Sequence, residues 1–116
     1  MWQIRAEQWA ALQGQRLEIF ARGSVGFLRA EAPEVVAEAD DEEVFAFALR
    51  GARKGLSLGF DDPHCLQQLV LFTAWYGEGL WDAPWAHRIF ARAHRTPESR
   101  VAQIEDYLLT RWEGSR

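Results

Sequence analysis

Residues 66–76, LQQLVLFTAWY, constrain this chain more than any other stretch. Leu66, Leu69, Val70, Thr73 and Tyr76 recur at helical spacing, while Leu71, Phe72, Ala74 and Trp75 fill much of the opposite face. A helix that is apolar nearly all round has to be covered on several sides. The pattern therefore predicts a central helix over about residues 62–76, with the other helices packed against it. Asp61 or Asp62 is placed to cap it, Pro63 suits its first turn, and Gly77 and Gly79 end it.

The remaining segments supply the cover. Trp9, Leu12, Ile19, Phe20, Phe27 and Leu28 form one stripe along a helix predicted over about residues 3–30. Gly14, Gly23 and Gly26 interrupt it. An interior glycine costs about 1 kcal/mol relative to alanine, which predicts a kink or break over residues 23–26. Pro33 is expected to end the segment. Between residues 31 and 43 there are seven acidic residues and no basic one.

The second helix carries the strongest end signals. Asp40 or Asp41 is the cap, Glu42 and Glu43 sit in the first turn, and Arg50, Arg53 and Lys54 fill the last turn before Gly55 as the stop. That charge order suits the helix dipole at both ends. Val44 or Phe45, Ala48, Leu49, Ala52 and Leu56 form its buried stripe. Residues 56–60 are a short connector tucked under the central helix. Asp82 and Pro84 start a fourth helix, with Trp85, Ala86, Ile89, Phe90 and Ala93 as its apolar face and an end near Arg95. Thr96 and Pro97 start a fifth, on which Val101, Ile104, Leu108 and Trp112 keep helical spacing. No segment alternates with period two, and there is no Asn-Gly or Asp-Gly hairpin, internal repeat or linker. The expected fold is all-α: residues 1–116 as one compact helical domain, a bundle of about five helices.

At 116 residues such a domain buries roughly two-thirds of its unfolded surface, enough for a core without metal or disulfide. Cys65 is the only cysteine, so no intrachain disulfide forms. The N-terminal MWQIRAEQW has no apolar signal core, and the longest apolar run is about half the ~20 residues that span a bilayer. A cytoplasmic location is expected. The net charge of -4 speaks against nucleic acid and membrane surfaces as partners.

His64, Cys65, His87 and His94 are the residues to test for a metal or thiol site. His87 and His94 share a helix face, but His64 and Cys65 are adjacent and point about 100° apart, unlike the paired spacings of zinc sites. A Cys65 nucleophile with His87 or His94 as base would work against Asp61 and Asp62, which oppose thiolate formation. The acidic run reads as a solvated helix cap, or more sharply as a docking patch for a basic partner. The basic cluster His87, Arg88, Arg92, His94, Arg95 and Arg100 lacks a nucleic-acid motif. Gly77-Glu78-Gly79 lacks the Gly-Lys-Ser/Thr ending of a phosphate cradle. No cofactor is expected.

Tryptophan is the remaining signal, because it is enriched in binding hot spots as well as in small cores. Trp9, Trp85 and Trp112 read as core. Trp81, two residues after Gly79 and just before Asp82, suits core and surface equally.

Ile4-Arg5-Ala6-Glu7-Gln8, then Ala52-Arg53-Lys54-Gly55-Leu56, Gly77 and Asp82-Ala83-Pro84-Trp85-Ala86 resemble small, uncharacterised helical proteins of Gram-negative bacteria associated with type VI secretion and its spike-borne toxins. The resemblance covers most of the chain and is most specific at residues 4–8 and 84–86. It implies an accessory protein that binds a toxin or spike component, and it brings no catalytic residues with it. The leading expectation is a non-enzymatic, protein-binding chaperone, adaptor or immunity partner. Its interface is expected at Trp81, Glu78 and Asp82 with Asp40, Asp41 and Glu42 from the acidic run. The alternatives are a small enzyme using Cys65 or a His87/His94 site, and a homo-oligomer joined through its surplus aromatics.

Overall fold

In a computed structural model, residues 6–92 and 94–110 are described, with side chains from residue 14 onward. Among these the chain forms six α-helices: α1 Ala6–Glu31, α2 Pro33–Val36, α3 Asp41–Ser57, α4 Pro63–Tyr76, α5 Pro84–Phe90 and α6 Pro97–Thr110. A 3-10 turn, Glu78–Asp82, joins α4 to α5. No strand occurs among the described residues, so the fold is the expected all-α bundle. The expected helix start near Gln3, the core roles of Trp9, Leu12, Ala93 and Trp112, and the tail after Trp112 lie outside the described residues. No described helix is long and apolar enough to cross a membrane.

The helix ends follow from local chemistry. Asp40 caps α3: its carboxylate accepts from the Glu43 amide at 2.8 Å, and the Glu43 carboxylate accepts back from the Asp40 amide. Asp62 caps α4 and Pro63 occupies its first position. Thr96 Oγ1 accepts from the Ser99 amide at the start of α6.

Four expected boundaries move, the last three with a visible accompanying contact or turn. First, α1 runs unbroken through Gly23 and Gly26. Second, Pro33 opens a helix rather than only closing one, since its missing N–H costs nothing at a first position. Third, α3 passes through Gly55 and stops two residues later. Gly59, at φ 93°, makes the turn: the Phe60 amide donates to the Gly55 carbonyl and the Gly59 amide to that of Leu56. This is the left-handed glycine cap, and it delivers Phe60 into the core with no exposed surface. Fourth, α5 ends at Phe90 rather than near Arg95. The buried Arg100 guanidinium donates to the Phe90 carbonyl at 3.0 Å, satisfying an acceptor that the helix end leaves open.

Helix α4 lies between two packing clusters. On one side Val70 meets Ala21 and Leu28 of α1, Val36 of α2, and Val44 and Ala48 of α3. On the other, Leu66, Leu69 and Phe72 meet Phe60, Leu80, Trp81, Trp85, Phe90 and the Val101–Ile104–Leu108 stripe of α6. The molecule spans 52 × 38 × 19 Å. A body about two helices thick leaves few positions that can be covered from every direction.

Candidate partner-binding groove

The loop expected to present Trp81 instead buries it. Residues Glu78–Asp82 wind into the 3-10 turn and drive the indole under α3, leaving Trp81 6% exposed. It stacks on Phe90 with ring centroids 6.0 Å apart. It also fills the space beside Gly51 and Gly55, where an added Cβ would lie 3.9–4.0 Å from the indole. Trp81 is thus a core residue, which corrects its place in an exposed interface. Its neighbours stay at the surface. Glu78 grips Arg50 of α3 through both carboxylate oxygens, at 3.1 and 3.4 Å, and Asp82 is exposed beside them.

The acidic half of the expected interface is also engaged within the chain. Asp40 is the α3 cap. Asp41 pairs with Arg29 at 2.9 Å and Glu42 with Arg22 at 3.1 Å. Arg29 further donates to the Val36 and Ala39 carbonyls, so it ties α1, α2 and the start of α3 together. These six residues do not converge. Arg50, the partner of Glu78, lies nine residues beyond Asp41 on α3, about 14 Å along the axis.

The candidate catalytic groups are separated too. Cys65 is 1% exposed, and burial together with its hydrogen bond to Asp62 pushes the thiol up to about 11, against a usual 9.0. The proton is held on sulfur, the reverse of what a nucleophile needs. The thiol and the Asp62 and Glu98 carboxylates lie within 4.8 Å of one another, but no histidine joins them. His87 Nε2 donates to the Trp81 carbonyl at 2.7 Å, bracing the 3-10 turn against α5. His64 and His94 are exposed.

The exposed apolar surface lies elsewhere. Leu66, Leu69, Val70, Phe72 and Thr73 of α4 are buried, but Trp75 is 45% exposed and Leu109 of α6 is 67% exposed. One from each helix, they flank an apolar groove of about 330 Å³ whose remaining lining is Gln68, Leu71, Phe72, Tyr76, Leu108 and Glu105. Across α4, Ala74 borders a second shallow groove with Val35, Val36, Val44 and Phe47, where Val35 is also exposed. The face of α4 that carries Leu71, Ala74 and Trp75 is therefore a ridge between two apolar depressions. The expectation that α4 is covered on all sides fails along this ridge, because the short α2 and the single helix α6 leave it open. The exposed-tryptophan signal was in the sequence at Trp75, but the apolar run around it made it read as core.

Comparison with known protein families, with characterised proteins and with solved structures finds no match.

Proposed function

We propose that this chain is a non-enzymatic, protein-binding accessory protein that holds an amphipathic helix of its partner in the groove between α4 and α6. The observation that carries this reading is the pairing of Trp75 and Leu109 on opposite walls of one apolar depression. An exposed tryptophan beside a leucine at a groove is the chemistry of a hot spot: a large apolar area that association removes from water. The groove extends along two turns of α4, from Gln68 to Tyr76, which matches the i, i+3, i+4, i+7 anchors of a docked helix. Glu105 is the one charged residue among the described residues of the lining, so the partner helix carries a basic residue on its rim. The sequence resemblance points to a secreted toxin or spike component as that partner. A cytoplasmic chaperone, adaptor or immunity protein would meet it before or against delivery.

The test compares two baits in host extract: the wild-type chain and W75A/L109S. Both positions are exposed, so the variant should keep its fold, checked by circular dichroism and thermal unfolding. A stoichiometric protein held by wild type should be lost from the variant. With the purified pair, Trp75→Ala alone should cost ~2 kcal/mol of affinity or more. Equal retention by both baits would remove the groove from the interface. A single wild-type species at twice the monomer mass, abolished by W75A/L109S, would show instead that a second copy fills the groove.

A further inference from the structure

On its other side, α6 forms a groove of different chemistry with α5. The two helices run antiparallel: Trp85 stacks on Tyr107 at one end, with centroids 3.9 Å apart and planes 13° apart, while Arg92 donates to the Gln103 carbonyl oxygen at the other. Between these ends lies a depression of about 520 Å³.

The polar groups in it are biased towards donation. Arg92 is fixed by Gln103, a neutral partner that leaves its charge uncompensated. Gln103 donates in turn to Ser99 Oγ at 3.3 Å. Arg88 lines the same groove, is exposed, and makes no ion pair among the described residues. Arg22, Arg29 and Arg50 each reach a carboxylate, whereas Arg88 and Arg92, like the exposed Arg16, Arg53 and Arg95, do not among the described residues. Asp106 is the one carboxylate among the described residues of the depression, and neither arginine reaches it.

The geometry points to an anion-binding groove that takes the carboxylates of an acidic peptide segment. Arg88 sits in the last turn of α5 and Arg92 two residues past its end, and both line the one groove. An extended acidic segment carries side chains on one face at every second residue, so it can present a carboxylate to each. Guanidinium is the group suited to holding carboxylates through paired N–H bonds. The partly exposed Tyr107 ring, backed by the buried Trp85, offers an apolar contact for the peptide beyond its acidic residues. A peptide fits better than a small anion because the depression is an open trough, whereas small-molecule sites enclose most of the ligand surface. None of these residues lines the α4–α6 groove, so this inference stands or fails apart from the one above.

The experiment titrates the full chain with hexaglutamate at low ionic strength, following backbone amide and Trp85 indole signals by NMR, with inorganic phosphate and AMP as parallel probes. Hexaglutamate should shift signals of Trp85, Arg88, Ser99 and Gln103, and added salt should reverse the shifts. R88Q should weaken binding about three- to five-fold, and D106N, which removes the opposing carboxylate, should strengthen it about two-fold. Both positions are exposed, so an unchanged melting temperature certifies the fold. Opposite signs for the two variants would locate the peptide in this groove. Absence of shifts, shifts indifferent to R88Q, or a response to phosphate or AMP without one to hexaglutamate would each overturn the proposal.

Discussion

The two sides of α4 are packed by opposite means. Towards α3 the contact depends on missing side chains: Gly51 and Gly55 face Val70 and Leu66, and a Cβ added at either would come within 2.9 and 2.6 Å of those side chains. Ala48 and Ala52 continue the same low surface with no exposed area. Towards the 3-10 turn and α6 the contact depends on bulk, with Phe60, Trp81, Trp85 and Phe90 filling the space that three short elements leave between them. Close backbone approach fixes the first side, and side-chain volume fixes the second. Trp81 belongs to both, since its indole covers the two glycines while stacking on Phe90. Removing bulk should therefore cost stability on the second side, and adding it should cost stability on the first.

The largest expected effect tests the bulk side. Trp81→Ala should destabilise the fold by ~4 kcal/mol, because it empties a buried site that short elements cannot close over. Chemical denaturation reads this directly. A loss under ~1 kcal/mol would mean that the aromatic side is not held by volume.

The next tests the close-approach side. Gly51→Ala adds a methyl against Val70 Cγ2, and a β-branched side chain on a helix has no alternative rotamer to retreat into. Overpacking should outweigh the gain in helix propensity and leave a net loss of ~1 kcal/mol. Neutral or stabilising behaviour would show that α3 and α4 can move apart freely.

The smallest effect has the opposite sign and sharpens the contrast. Gly23→Ala places its methyl in open space on α1, with no atom within 4 Å. It should stabilise by about 0.5–1 kcal/mol through propensity alone. Two interior helical glycines then differ only in what faces them, and a loss at residue 23 would break that explanation.

Much of the fold was legible in the chain because it rests on local chemistry. The Asp40, Asp62 and Thr96 caps need only a side-chain oxygen and amides two or three residues away, so sequence spacing is enough to place them. The Val101–Ile104–Leu108 stripe likewise needs only the helical period. The candidate site was much less legible. Gly55 resembled a stop signal because a glycine that permits close packing and one that ends a helix look the same in a string. Gly59 made the turn instead. Trp75 and Trp81 were hard to place for a related reason. A tryptophan inside an apolar helical run reads as buried and one in a loop just after a glycine suits core and surface equally, yet each outcome depends on what lies across from it.

By itself, the sequence determined that this is an all-α chain, where most of its helices begin, and that α4 is the helix around which the others gather. Those properties follow from capping, propensity and periodicity, which act over a few residues. The tertiary structure alone decided which face of α4 stays open, that Asp41 and Glu42 of the acidic run pair with Arg29 and Arg22, that Cys65 is sealed in the core, and that Arg100 takes up the Phe90 carbonyl at the end of α5. Each of these depends on groups from distant parts of the chain meeting in a body about two helices thick, where burial on one side leaves exposure on the other.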